Sequence, residues 1–206
     1  MLEVVGLPLI ERQIRWLKGN GIDELVICVG YLKEKIMEYV GDGSRFGVKV
    51  EYSIEGAPLG TGGAIKNAES FLHNNERAFY VINGDILTTI DPRKLKGNTH
   101  VVSAVPMKSP FGIIAFDSLD YVTEFLQKPV MNEVWINAGV YYFTNEVLRY
   151  LPEVGNFEDA ILPMLAKQGK LKVVKSEHSK YYWRSIDSHW DLEEASKEVP
   201  NLHEST

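Results

Sequence analysis

Apolar residues recur at Ile10, Ile14 and Leu17, an i, i+4, i+7 spacing that predicts an amphipathic helix opening near Pro8. Gly19-Asn20-Gly21 ends it. From Glu24 to Val29 the pattern becomes a continuous apolar run, as in a parallel strand buried on both faces. A second helix is predicted from Leu32 to Val40, stopped by Gly41-Asp42-Gly43, and Val48 to Ile54 alternates like a strand. A glycine-rich turn leads into a helix from Gly62 to His73, and Ala78 to Ile82 is another buried strand. Helix and strand alternate strictly to this point, which predicts a parallel sheet with helices on its faces.

The second half changes character. Val101–Met107, Gly112–Phe116, Tyr121–Gln127 and Trp135–Phe143 are successive strands with no long helix between them. Helices resume at Glu146–Leu151 and Phe157–Lys167. Strands at Leu171–Ser176 and Tyr182–Ile186 follow, then a helix from His189 to Lys197. Residues 1–199 are expected to form a single mixed α/β domain, with Pro200 to Thr206 a frayed tail. The opening is unusual, because such a domain normally begins with a strand that feeds the ligand-binding turn. Here the short extended stretch Leu2–Val5 passes directly into a helix.

Composition narrows the function classes. With 45% hydrophobic and 24% charged residues the 206-residue chain is ordinary globular protein. A net charge of −6 argues against a nucleic-acid surface built on bulk positive charge, so an anionic ligand has to be held by a few placed groups. No apolar run is long enough for a membrane span, and the opening lacks the basic start of a signal peptide. A cytoplasmic protein is the default expectation. The single cysteine, Cys28, sits in the apolar run and is expected to be a small buried hydrophobe. The histidines at 73, 100, 178, 189 and 203 show no metal-ligand spacing and receive no role.

Four segments could carry chemistry. Pro58-Leu59-Gly60-Thr61-Gly62-Gly63-Ala64 precedes a helix, where glycines let the backbone approach a ligand; it is neither a P-loop nor a dinucleotide fingerprint, and a plain tight turn explains it equally. Asn83-Gly84-Asp85 follows an apolar strand and puts a carboxylate where open α/β sheets bind ligands, suited to Mg²⁺ shared with phosphate; the alternative is an Asx turn. Gln127-Lys128-Pro129 places a lysine before proline, which biases it to extended backbone and offers a point charge to a phosphate or simply to solvent. Trp183-Arg184-Ser185-Ile186-Asp187 enters the last helix, whose N-cap is Asp187 or Ser188.

Together these segments resemble the sugar-1-phosphate nucleotidyltransferases (NDP-sugar pyrophosphorylases), including the mannose-1-phosphate guanylyltransferases and glucose-1-phosphate thymidylyltransferases. Gly6-Leu7-Pro8-Leu9-Ile10-Glu11, Gly21-Ile22-Asp23-Glu24-Leu25, Phe111-Gly112 and Asn137-Ala138-Gly139-Val140-Tyr141 extend the resemblance across nearly the whole chain. It implies a Rossmann-like fold, a mostly parallel central sheet flanked by helices, and a Mg²⁺-dependent in-line displacement. In that reaction a sugar 1-phosphate attacks the α-phosphate of a nucleoside triphosphate and releases pyrophosphate.

Carried over by position, Leu59, Gly60, Thr61, Gly62 and Gly84 would meet the nucleotide. Gly112, Gln127 and Asn137 would meet the sugar and Lys128 its phosphate, while Asp85 holds Mg²⁺. The expected partners are these two substrates, with no nucleic acid and no membrane, and a homo-oligomer stays open. Three departures stand out. Gln127 replaces the family's acidic residue, and the second metal aspartate aligns on Ser185, so Asp187, two residues on, is the expected second metal ligand beside Asp85. The family's opening strand and Gly-x-Gly-Thr-Arg phosphate loop have no counterpart in the 206 residues, so slow turnover by this polypeptide is expected. A homologue that only binds nucleotide, sugar nucleotide or a partner subunit is the alternative.

Overall fold

The computed structural model describes residues 1–72 and 77–199. The expected tail at 200–206, His203, and the end of the third helix at His73 lie outside the described residues. The elements are β1 Glu3–Val4, β2 Leu7–Pro8, α1 Leu9–Gly19, β3 Glu24–Val29, α2 Lys33–Val40, β4 Lys49–Ile54, α3 Gly60–Asn67, β5 Ala78–Ile82 and β6 Ile86–Thr88. The second half holds β7 His100–Lys108, β8 Ile113–Phe116, β9 Val122–Leu126, β10 Val130–Thr144, α4 Phe157–Lys167, β11 Leu171–Lys175, β12 Trp183–Ser185 and α5 His189–Glu198.

The largest sheet has the order β11-β7-β10-β5. β11 and β7 are parallel, while β10 runs antiparallel to both β7 and β5. Thus β5, β7 and β11 share one direction and β10 opposes them. β3 and β4 form a separate parallel pair. The result is a mixed α/β fold with a central sheet flanked by helices, as expected.

Three local differences from the sequence reading have simple causes. The helix expected at Glu146–Leu151 is one 3₁₀ segment, Asn145–Arg149, too short to propagate between a strand and Pro152. The third helix ends at Asn67 and continues as a 3₁₀ turn, Glu69–Phe71. The short strand β6 has no periodicity long enough to read, and pairing with β12 creates it.

The main core lies between this sheet and α4. Tyr141, Phe143 and Phe157 pack edge-to-face or stacked with centroids 5.0–5.7 Å apart, joined by Val147, Leu148 and Leu165. A second cluster of Val4, Leu9, Leu87, Ile186 and Ala195 fastens the first residues and α5 to β6 and β12. No helix among the described residues is long and apolar enough to cross a membrane.

Candidate active site

The chain leaves β5 at Ile82 and turns through Asn83-Gly84-Asp85 into β6. A side chain from α1 fixes that turn. Gln13 Nε2 donates to the carbonyls of both Asn83 and Ile86 at 2.9 Å, and Asn83 N–H donates to Gly139 O at 2.9 Å. Gln13 was not anticipated, although a polar residue among Ile10, Ile14 and Leu17 on the buried face of a helix was the available signal.

The antiparallel register Ser185↔Ile86 then brings the end of β12 to the same turn, and Ile186 N–H donates to Asp85 O at 2.9 Å. In this way residues a hundred positions apart meet. Asp85 is half-buried, and its Oδ1 is buried without a hydrogen-bond partner. Burial raises its carboxyl above the usual range, and the carboxylates of Asp187 and Glu158 push the same way. Asp187 lies just past β12 rather than within it, exposed, and accepts a hydrogen bond from Ser185 Oγ at 2.7 Å. It does not cap α5. Ser188 does, its hydroxyl accepting from Asp191 N–H at 3.2 Å.

The glycine segment stands opposite Asp85 and is committed to the 152–157 loop. Gly62 and Gly63 N–H donate to Gly155 O at 2.9 and 3.1 Å, Gly155 N–H donates to Leu59 O at 2.7 Å, and Thr61 N–H donates to Asn156 Oδ1 at 3.3 Å. Leu59 N–H is held by Glu55 Oε2 at 3.1 Å. The Thr61 hydroxyl donates to Glu158 and accepts from Phe157 N–H. These amides are therefore engaged within the protein, whereas Gly84 opens on free space.

Two cavities lie near this turn, one bordered by Asp85 and the other by Asp187. One, of about 590 Å³, is mainly apolar and reaches Asp85, Gly84 and Thr61 from between β3 and β5. The other, of about 960 Å³, has a mixed lining in which Lys108, Lys128, Lys180 and Arg184 alternate with Trp183, Trp190 and the carboxylates of Asp187, Asp191 and Glu198. Gln127 and Gly112 adjoin one another, since a Cβ on Gly112 would sit 3.2 Å from Gln127 Oε1. Asn137 spends its amide locally, donating to Tyr141 Oη at 2.5 Å and accepting from Gly139 N–H at 3.1 Å. Gly112, Gln127 and Asn137 line neither cavity.

Two expectations are corrected. Lys128 is not extended: its φ is +48°, because the chain must turn sharply between β9 and β10, and its ammonium lies over the Trp190 ring, 4.8 Å from the centroid. Cys28 is not a buried hydrophobe but is exposed where it lines the apolar cavity. Desolvation, with the charge of Glu55, still raises its thiol to about 11.

Asp85 lies just past the C-terminal end of β5, the position at which open α/β sheets bind their ligands. The chain belongs to the nucleotidyl transferase family, whose family model matches residues 1–201. It is 37% identical over 165 residues to a D-glycero-α-D-manno-heptose 1-phosphate guanylyltransferase of Campylobacter jejuni, covering 77% of this chain and 73% of that protein. It is 30% identical to a mannose-1-phosphate guanylyltransferase of Mycobacterium tuberculosis, covering 97% of this chain but only 58% of the relative's length. In structure it is similar to HddC from Yersinia pseudotuberculosis, with a TM-score of 0.74 and 26% identity, covering 96% of this chain and 88% of that one. HddC has also been solved in complex with GMP-PN.

Proposed function

We propose that this chain forms the catalytic domain of an enzyme that couples a nucleoside triphosphate to a sugar 1-phosphate, yielding an NDP-sugar and pyrophosphate. A phosphate oxygen of the sugar 1-phosphate forms a new bond to the α-phosphorus. The bond from that phosphorus to the bridging oxygen breaks, and pyrophosphate carries away the electron pair. The observation that carries this reading is the buried Asp85 Oδ1, which has no hydrogen-bond partner and whose carboxyl feels the charge of Asp187, with Asp85 lining one cavity and Asp187 the other.

Mg²⁺ fits the donors present. Asp85 Oδ1 is a buried acceptor lacking a partner, Asp187 adds a second carboxylate, and a hard cation with phosphate ligands commonly needs one or two. Asp85 and Asp187 would hold it, and when bound it would neutralise charge on the reacting phosphate.

The protein's own residues do the positioning. Lys128, set over Trp190 at the second cavity, meets the sugar phosphate. Gly112, Gln127 and Asn137 are the sugar-facing candidates. Leu59, Gly60, Thr61, Gly62 and Gly84 flank the nucleotide, and because several of these amides are engaged, base contact there falls to shape and carbonyl edges. Guanylyl transfer by the similar proteins makes GTP the first donor to test, with mannose- or heptose-type 1-phosphates as acceptors. Titration calorimetry of the chain with Mg²⁺ and each common nucleoside triphosphate should show saturable binding that Asp85→Asn weakens at least about tenfold. Equal affinity in the variant would overturn the assignment.

A further inference from the structure

Among the described residues β8 and β9 pair with each other and with no other strand. Every residue from Ile114 to Lys128 is exposed, so the hairpin stands off the body of the protein. A two-stranded hairpin alone is marginally stable in water, and this one is apolar where a solvated arm should be polar. Ile114 is paired with Phe125 and Phe116 with Val122, and paired residues share a face of the ribbon. Ile114 and Phe116, two positions apart, point the same way, so these four make one apolar face, 51–66% exposed. Phe111, Leu119 and Tyr121 flank it and are 70–75% exposed. At about 150–250 Å² for a full aromatic side chain, the hairpin leaves on the order of 800 Å² of apolar residue open. The largest such patch on a monomer is usually about 300–600 Å².

We infer that this face seats a second copy of the same chain, the two hairpins stacked face to face and antiparallel about a two-fold axis. The open area is the first reason, since each partner of a stable interface buries about 800 Å². The charges are the second, because they suit a copy reversed end for end. Asp117 and Asp120 stand at the tip of the hairpin and Lys108 and Lys128 at its base. Reversal brings each acidic tip toward the lysines at the other copy's base, and the same tip would be repelled by an anionic lipid surface. Gly112 and Gln127 continue the face, since a Cβ on Gly112 would lie 2.9 Å from the Phe125 ring and 3.2 Å from Gln127 Oε1. The seated copy therefore borders the sugar-facing candidates. That consequence rests on the transferase reading, whereas the pairing itself does not.

Sedimentation equilibrium of the full chain should show a monomer–dimer equilibrium with a Kd of about 10 μM or tighter. Phe116→Lys sets two like charges into the middle of the interface and should weaken association at least about a hundredfold. Ala115→Lys, on the opposite face of the same strand, should leave it unchanged. In a Cys28→Ser chain, which removes the single native cysteine, oxidation should link Ile114→Cys to its own counterpart near the axis. It should not link Leu119→Cys, which the antiparallel arrangement carries to opposite ends. If Phe116→Lys does not fold, the two cysteine variants still decide. A monomer at every concentration, a dimer that Phe116→Lys leaves intact, or linkage through Leu119→Cys and not Ile114→Cys would each overturn the pairing. A monomer whose β8 and β9 amides resist hydrogen exchange would assign the face to the chain's own body.

Discussion

The Ser185 hydroxyl donates to the Asp187 carboxylate at 2.7 Å, which ties the residue that the family resemblance sets at a metal aspartate to the carboxylate proposed as a metal ligand two positions later. The neutral hydroxyl thus orients the charged group instead of replacing it. Ser185→Ala should weaken Mg²⁺ binding by about 10- to 100-fold, the usual effect of losing a residue that orients a metal ligand. Asp187→Asn should weaken it further. Calorimetric titration with Mg²⁺ and GTP checks both, and a Ser185→Ala chain that binds like the parent would show that Asp187 needs no orienting partner.

Asp85→Asn should stabilise the metal-free protein at neutral pH. Burial raises the Asp85 carboxyl in the folded state above the value of about 3.9 for an unfolded aspartate, so the folded state holds that proton more tightly. Stability of the native chain therefore falls as pH climbs from about 4 through the folded pKa, and asparagine escapes that loss. The variant's melting temperature should exceed the parent's at pH 7, with the gap closing near pH 3. Saturating Mg²⁺ should reverse the order at pH 7.

Lys128 stands at φ +48°, a region that costs a non-glycine residue roughly 1–2 kcal/mol. Lys128→Gly should therefore raise stability, by roughly 0.5–1 kcal/mol. Removing the ammonium over Trp190 should at the same time lower affinity for a sugar 1-phosphate about tenfold or more. Thermal melts and calorimetry should move in opposite directions, and a variant that loses stability would show the turn to be unstrained.

Long periodic elements were legible in the sequence because burial writes itself into them. The strands Glu24–Val29 and Ala78–Ile82, the helix carrying Ile10, Ile14 and Leu17, and the helix from Phe157 to Lys167 form where read, although the two strands are only partly buried rather than covered on both faces. What could not be read depends on contacts between distant residues. β6 exists because β12 pairs with it, and the same pairing brings Asp187 to Asp85 across a hundred residues. The glycines at 60–63 were legible as a turn, but nothing local announced that Gly155 would take their amides. Cys28 looked like core, since a run of apolar residues does not reveal that one strand edge faces a cavity.

Arg184 links β12 to the last turn of α5, donating to Glu198 through Nε at 3.0 Å and Nη2 at 2.7 Å. Burial works against ionisation of Glu198, but the hydrogen bonds and charge of Arg184 outweigh it and hold its carboxyl below the usual range. That stability is present above the unfolded pKa of about 4.3 and is lost as pH falls through the lowered folded value. Glu198→Ala, which leaves the mostly buried guanidinium without its bidentate partner, should cost about 1–3 kcal/mol at pH 7 and far less at pH 3. Denaturant melts at the two pH values check it.

Gly60→Ala separates the packing role of the glycine segment from its role at the ligand. Gly60 has φ +73°, and a Cβ there would lie 2.8 Å from Asn156 Oδ1 and from the backbone carbon and oxygen of Gly155. Neither the backbone conformation nor the space is available to alanine, and the obstructing atoms are mostly main chain, which cannot swing aside. The substitution should therefore push α3 off the 152–157 loop and strain the bonds that Thr61, Gly62 and Gly63 make there. The left-handed penalty alone is roughly 1–2 kcal/mol, and overpacking adds a similar amount, so a loss of about 2–4 kcal/mol is expected. Gly84→Ala is the control, because Gly84 faces open space and its φ is not in the left-handed region. It should leave the melting temperature nearly unchanged and act, if the nucleotide lies against it, only on nucleotide affinity. A stable Gly60→Ala protein with impaired nucleotide binding would instead mean that the glycine segment serves the ligand rather than the loop.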